Sequence, residues 1–175
     1  MYIIVGLGNP GDQYARTRHN TGRLTLEYLT KKELTGIKLV HLDTFMNKSG
    51  SGVAKVVKNK KAAEKLIVIY DDLDLPIGTL KVSYNRSSGG HRGLESVIRA
   101  LKTEGFIRIR IGISPVTPSG KIKKPKGEAA VEKHILGEFK KSETEILKKV
   151  FKRAQGAVEA IVEHGLTRAM TEFNK

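Results

Sequence analysis

Short apolar runs alternate with helix-like segments along the chain, and this alternation constrains the fold most strongly. Residues 2–7 (YIIVGL) and 66–70 (LIVIY) are continuously apolar, as in strands that are buried on both faces of a sheet. Residues 93–101 and a long segment from Ser142 onward instead repeat apolar residues at helical spacing. The pattern predicts an α/β fold: a mixed, mostly parallel, twisted sheet with helices on both faces, formed by a single domain over residues 1–175.

Several local patterns place further elements. A helix is expected to begin at Asn20 or Thr21, and Ser142 with Glu145 predicts a capping box at the start of the last long helix. Additional strands are predicted at residues 37–42, 80–84 and 106–113, and a short helix around 53–57. The strand at residues 106–113 alternates isoleucine with Arg108 and Arg110, which predicts one buried face and one face carrying guanidinium groups.

Charge and cysteine content narrow the class of function. The chain has 32 Lys and Arg against 18 Asp and Glu, a formal net charge of +14. This excess favours a polyanionic partner such as nucleic acid, although a basic surface that only keeps the protein soluble explains it as well. The lack of cysteine excludes disulfides and thiolate catalysis. No apolar run reaches the roughly 18 residues of a membrane span, and no signal peptide is recognisable, so a cytoplasmic protein is predicted.

The first loop matches the glycine spacing of a dinucleotide-binding motif. Residues 6–11 (GLGNPG) follow a strand, as that motif requires. Pro10, however, removes a backbone N–H that would point at a pyrophosphate, and no helix begins on the loop itself. A nucleotide-dependent oxidoreductase is therefore disfavoured.

Polar side chains collect in four loops that follow predicted strands. They are Asn9, His19, Asn47, Asp71 and His91. Such loops lie at one edge of a parallel sheet, so these side chains can share a cleft. A histidine, a carboxylate that fixes its tautomer and two carboxamides suit the attack of an activated water on an ester. The acidic stretch that begins at Asp71 also permits Mg²⁺ binding, and the glycine-rich turn before residue 93 suits either an anionic backbone or an ordinary helix start.

Motifs along nearly the whole chain resemble those of the bacterial-type peptidyl-tRNA hydrolases. They are GLGNPGDQYARTRHN (6–20), FMNKSG (45–50), DDLDLPIG (71–78), GGHRGL (89–94) and RIRIGI (108–113). The resemblance implies a monomeric α/β enzyme that needs no metal or other cofactor. It also implies hydrolysis of the ester between a peptide and the 3′ ribose of tRNA, so the partner would be the acceptor end of peptidyl-tRNA with its 3′ CCA.

The resemblance also implies residue roles. His19 would be the general base, Asp71 would hold it in its basic form, and Asn9 would recognise the peptidyl group and discriminate against an unblocked aminoacyl-tRNA. The remaining residues would bind the substrate or the tRNA: Tyr14, Phe45, Asn47, His91, Arg92, Lys81 and Arg110. Arg110, with Lys81 as a neighbour, would clamp the terminal phosphate.

Three departures from the family pattern stand out. Arg92 replaces the usual Asn, Ser83 replaces a second lysine of the clamp, and the stretch from His19 to Phe45 is about 20 residues short. The replacement at Arg92 and the short stretch keep one alternative open, a non-catalytic RNA-binding protein on the same fold.

Overall fold

The computed structural model describes residues 1–175, which form five strands and seven helices. The strands are β1 (Tyr2–Gly6), β2 (Ile37–Val40), β3 (Leu66–Pro76), β4 (Leu80–Tyr84) and β5 (Ile107–Ser114). The helices are α1 (Thr21–Thr30), α2 (Ser49–Ala54), α3 (Lys60–Ala63), α4 (Arg92–Leu101), α5 (Glu128–Ile135), α6 (Lys141–His164) and α7 (Leu166–Phe173). Short 3₁₀ turns lie at Asp12–Tyr14, Arg18–Asn20 and Met46–Lys48.

The strands form one sheet in the order β2-β1-β3-β5-β4. Neighbouring strands are parallel except β4, which runs antiparallel to β5 at one edge. This confirms the predicted mixed, mostly parallel sheet. Because the parallel strands end at the same edge, the loops that follow them meet there.

Each face of the sheet carries its own apolar core. Ile4, Ile69 and Ile109 pack on one face against buried side chains of α1, α6 and α7. Val5 and Val68 pack on the other face against α2 and α4. Helices thus cover both faces, as the continuously apolar strands predicted. No helix has the combination of length and apolar composition that crossing a bilayer requires.

Two strands differ from their predicted form. β3 does not end before the acidic stretch but runs through it to Pro76, because β5 pairs alongside as far as Asp72 and again at Pro76. β5 is buried on both faces, so the prediction of an exposed guanidinium face is wrong. Arg108 is fully buried, with its guanidinium bonded to the carbonyls of Ser87 and Glu104.

The predicted start of the long helix is also wrong. α6 begins at Lys141, where the Glu143 carboxylate accepts a hydrogen bond from the Lys140 N–H at 2.7 Å. Glu145 pairs with Lys148 on the exposed surface instead. Glu143, two residues before the predicted Glu145, therefore takes the capping role, because its carboxylate reaches the Lys140 N–H, which has no partner within the helix.

Two glycines let α1 approach the sheet closely. A side chain at Gly6 would overlap the carbonyl of Gly22, and a side chain at Gly22 would overlap the carbonyl of Ile69. The backbone of α1 also bonds to β1, because the Arg23 N–H donates to the Leu7 carbonyl at 3.1 Å. This contact places the turn before α1, residues 18–20, directly over the strand ends.

Replacing Gly22 with alanine should therefore destabilise the protein. The added methyl has no room against backbone that cannot move, so we expect the free energy of unfolding to fall by about 3 kcal/mol. Glu27→Ala, on the exposed side of the same helix, should change it by about 0.5 kcal/mol or less. Urea denaturation measures both values, and equal stability of the two variants would contradict the close approach.

Candidate active site

The loops at the carboxyl edge of the sheet enclose a cavity of about 620 Å³. Most of the predicted site residues line it: Asn9, His19, Phe45, Asn47, Asp71, His91, Arg92 and Arg110. Tyr14 and Lys81 do not. The four segments that the sequence singled out therefore converge on one cavity, although Asp71 lies within β3 and not in a loop.

Asp71 lies at the centre of the polar groups and is 3% exposed. Its Oδ2 lies 2.8 Å from His19 Nδ1, and its Oδ1 lies 2.8 Å from His91 Nε2. Burial raises the pKa of Asp71, but attraction and hydrogen bonds from the two histidines outweigh burial and hold it well below its usual range. The carboxylate is thus ionised and bridges two imidazole rings.

The contact with Asp71 decides which nitrogen of His19 is free. An ionised carboxylate only accepts, so Nδ1 carries the hydrogen and Nε2 keeps its lone pair. Nε2 makes no hydrogen bond within the protein, yet it is not sealed off from solvent. It belongs to a ring that lines the cavity. Burial lowers the pKa of His19, Asp71 raises it and Arg92 lowers it, and the net shift is upward.

His91 is fixed by a second hydrogen bond in addition to the one with Asp71. Its Nδ1 accepts from the Leu94 N–H at 3.1 Å and so caps α4, which leaves the hydrogen on Nε2 for Asp71. The ring lies 4.9 Å from the His19 ring, centroid to centroid. The sequence placed His91 with the substrate-binding residues, whereas its polar atoms are directed at Asp71 and at the start of α4.

Asn9 presents a hydrogen-bond donor to the cavity. Its side-chain oxygen accepts from the Met46 N–H at 2.7 Å, so its amide NH₂ group is the part left free. Asn20 holds the backbone of Asn9 on both sides, accepting from its N–H at 2.8 Å and donating to its carbonyl at 2.9 Å. The Asn20 side chain is therefore used to fix Asn9 and does not cap α1, although Asn20 occupies the cap position.

An aromatic pair lies at one side of the cavity. Phe45 is 53% exposed, and Tyr14 packs edge-on against its ring at 6.4 Å without reaching the cavity. Asn47, two residues further along, is exposed and its side chain has no partner. This side offers an apolar surface and a free amide to a ligand.

Cations surround the rest of the cavity, but most are already paired. Arg110 Nε lies 2.7 Å from Asp72 Oδ2, and its Nη1 lies 3.3 Å from the Ser83 hydroxyl. Lys81 lies opposite Arg110 in the β4–β5 register, yet its ammonium group donates to the Asn174 carbonyl at 2.7 Å.

The remaining cations stand at the mouth of the cavity. Arg92 pairs with Glu128 of α5 at 3.1 Å in an exposed contact, and Lys124 pairs with Asp74 at 2.6 Å. Arg86 is exposed and has no carboxylate partner. Arginine and lysine thus stand on several sides of the mouth, and Arg86 is the one among them without a carboxylate partner.

His19, Asp71 and His91 also form a group with metal-ligand chemistry, since their ligand atoms lie within 4.8 Å of one another. Two ligands of one tetrahedral zinc ion, each roughly 2.0–2.2 Å from the metal, lie roughly 3.3 Å or more from each other, so the shorter 2.8 Å contacts here are hydrogen bonds. A metal ion here would have to replace both hydrogen bonds of Asp71. The arrangement fits a proton-transfer site better.

Two parts of the site were not identified from the sequence. Asp72, which binds Arg110, was not separated from its acidic neighbours. Helix α5, which lines the cavity with Val131 and Ile135, was not predicted at all. α5 has no buried residue, so its amphipathic signal is weak.

Comparisons with known proteins cover the whole chain. A family described as Peptidyl-tRNA hydrolase matches residues 3–38 and 32–175. The peptidyl-tRNA hydrolase of Thermoanaerobacter sp. (strain X514) is 38% identical over 194 positions, covering 99% of this chain and 100% of the relative. That of Thermodesulfovibrio yellowstonii is 36% identical, with 100% of both chains covered. The crystal structure of the Acinetobacter baumannii enzyme superposes with a TM-score of 0.85 at 28% identity, covering 99% of this chain and 94% of that chain.

These alignments confirm that the chain is shorter than its relatives. An alignment over 194 positions exceeds the 175 residues of the chain by at least 19. The two family matches overlap at residues 32–38, which locates the shortening between α1 and β2. This connection leads into the amino end of β2, the outermost strand of the sheet. The cavity lies at the opposite, carboxyl ends of the parallel strands.

The shortening thus leaves the residues around Asp71 in place. Matches along the full chain, a superposable fold and a cavity that contains the family's motifs agree with one another. The chain belongs to the peptidyl-tRNA hydrolase family.

Proposed function

We propose that this chain hydrolyses the ester between a peptide and the 3′ ribose of tRNA with His19 as the general base. Membership in the family assigns the reaction. The observation that supports the role of His19 is the free Nε2, which faces the cavity while Nδ1–H is held by Asp71. Positioned proton transfer of this kind requires a neutral ring with a fixed tautomer.

The reaction balances with groups that the chain supplies. Nε2 of His19 takes a proton from water as the water oxygen bonds to the ester carbonyl carbon, giving a tetrahedral oxyanion. The ester C–O bond then breaks, and the imidazolium returns the proton to the 3′ oxygen that leaves with the tRNA. Asp71 stabilises the imidazolium between these steps without taking its proton.

The Asn9 amide is proposed to donate to the oxygen of the substrate carbonyl. Its NH₂ is the free end of the group, because the side-chain oxygen is engaged by Met46. A donor held this rigidly stabilises an oxyanion more than a mobile one. Asn47 and Phe45 are proposed to hold the first peptide unit, for which Asn47 offers a free amide and Phe45 an apolar surface.

The acceptor end of tRNA, with its 3′ CCA, is proposed as the partner that meets the mouth of the cavity, where Arg86 and Arg92 stand. Arg92 and Arg86 are proposed to contact phosphate, since an exposed pair such as Arg92–Glu128 exchanges its carboxylate for phosphate at little cost. We propose that the chain acts as a monomer, as the resemblance to the family implies. We place the protein in the cytoplasm, where its substrate forms.

Removing the general base should abolish turnover while the fold survives. His19→Ala is expected to lower kcat by about 10²-fold to 10⁴-fold on an N-acetylated aminoacyl-tRNA. The exposed His164 at the end of α6 serves as control, and His164→Ala should keep wild-type activity. Normal turnover by His19→Ala would contradict the assignment. No cleavage by the wild-type chain at high concentration would favour the non-catalytic RNA-binding alternative.

The substitution Asn9→Asp distinguishes the role of the side-chain oxygen of Asn9 from the role of its NH₂ group. The acid retains an oxygen for the Met46 N–H but loses the NH₂ donor and repels a developing oxyanion. We expect kcat to fall by about 10²-fold to 10³-fold, the usual loss for one oxyanion donor. Circular dichroism checks that the fold is unchanged, and wild-type kcat would remove Asn9 from the reaction.

The pH dependence should report the pair of His19 and Asp71. Activity needs neutral His19, and Asp71 raises its pKa, so the acidic limb of kcat/KM should lie above the ordinary histidine value. In Asp71→Asn the burial and Arg92 contributions remain and both lower the pKa, so the limb should move to lower pH. The loss of the ring's orientation should also reduce kcat by about 10²-fold or more.

Asp43→Asn, an exposed position outside the cavity, should leave the profile unchanged. An acidic limb that stays in place in Asp71→Asn would show that His19 does not titrate under the influence of Asp71.

A further inference from the structure

Arg18, the residue immediately before His19, is buried and contacts a distant part of the chain. Its Nη2 lies 3.1 Å from Glu143 Oε1, and its Nη1 lies 3.2 Å from the His134 carbonyl. The guanidinium also lies 5.7 Å from the centroid of the Phe139 ring. Only 9% of the side chain is exposed, so the ion pair is shielded from competing ions.

The backbone on either side of Arg18 joins the same segment. The Arg18 N–H donates to the Gly137 carbonyl at 3.0 Å, and the Phe139 N–H donates to the Arg16 carbonyl at 3.1 Å. Thr17 and Glu138 form an isolated antiparallel bridge between these bonds. Residues 16–18 and 137–139 are thus paired like two short strands.

This segment matters because it connects α5 to α6, and α5 forms one wall of the cavity. Glu128, Val131 and Ile135 of α5 line the same cavity as His19 and His91. No residue of α5 is buried, so apolar packing contributes little to its position. Its placement depends on the polar contacts at its two ends.

The two ends of α5 are held very differently. At its start, Glu128 pairs with Arg92, but these side chains are 84% and 70% exposed. At its end, the His134 carbonyl accepts from the buried Arg18, and His134 Nε2 donates to the Ile113 carbonyl at 2.8 Å. Exposed pairs contribute little, whereas breaking a buried ion pair leaves a charge without its partner and is costly. The firm anchor is therefore the one beside His19.

We propose that Arg18 is a positioning residue that fixes α5 relative to His19 and thereby sets the width of the cavity in which the ester is held. The proposal rests on the proposed function, since it concerns the same site. Arg18 touches neither the water nor the ester. It acts by holding the cavity wall at a set distance from the base.

The contacts explain why arginine is required at this position. Its planar fork reaches a carboxylate of α6 and a carbonyl of α5 at once, whereas a lysine ammonium group offers one point of charge. The position of the Arg18 guanidinium also requires a glycine at residue 137, because a Cβ there would lie 2.7 Å from Arg18 Nη1. Gly137→Ala therefore displaces the guanidinium without removing its charge.

The test compares Arg18→Lys, Arg18→Gln and Gly137→Ala with the wild-type chain. Arg99→Gln is the matched control, because Arg99 makes an exposed pair with Glu95 on α4 and lies outside the cavity. Hydrogen exchange of residues 128–136 measures how firmly α5 is held. Kinetics on N-acetylated aminoacyl-tRNA, a pH–rate profile and a melting curve complete the set.

All three test variants should exchange the amides of α5 about tenfold faster or more, and Arg99→Gln should not. Their kcat/KM should fall by about tenfold to 10²-fold, as for a misplaced wall of a site. The acidic limb should stay in place, because the contact between His19 and Asp71 is untouched. Arg18→Lys should retain more activity than Arg18→Gln.

Unchanged exchange in α5, or a lower melting temperature with wild-type kcat/KM in the folded protein, would overturn the proposal and leave Arg18 a purely structural residue. If the wild-type chain itself does not cleave the ester, the proposed function fails. The exchange measurement still decides in that case whether Arg18 holds α5.

Discussion

The buried carboxylate of Asp71 is the interaction on which the site depends. A charge that is 3% exposed is tolerated only when hydrogen bonds satisfy it, and two histidines supply them. This requirement determines the hydrogen on each ring and leaves Nε2 of His19 as the one free base of the group. Removing either histidine from Asp71 would therefore alter the charge distribution around the other.

The fold supplies the positions that this arrangement needs. Parallel strands bring Asp71, Asn9 and the loop of Asn47 to one edge, and glycine contacts bring the turn before α1 down onto it. The chain is shorter than its relatives at the opposite edge of the sheet, beside β2, which explains how a family member can lose about 20 residues without losing the site. The site is thus set by the strand ends and their loops.

Much of this could be predicted from the sequence, since apolar runs followed by polar loops indicate which residues reach the same edge. The meeting of Asn9, His19 and Asp71 followed from that rule. The contact of His91 with Asp71 did not, because it depends on how a glycine-rich turn folds back toward β3. The burial of Arg108 was missed because alternation cannot distinguish a half-buried strand from one whose polar face is covered by loops.

We propose that neutral His19, held by ionised Asp71, is the group that activates water. The most direct measurement is a site-resolved NMR titration of the His19 ring together with the pH dependence of kcat/KM for the same wild-type protein. The pKa of the ring and the pKa of the acidic limb should coincide, both above the usual histidine value. Full activity at a pH where the ring is already protonated would contradict it.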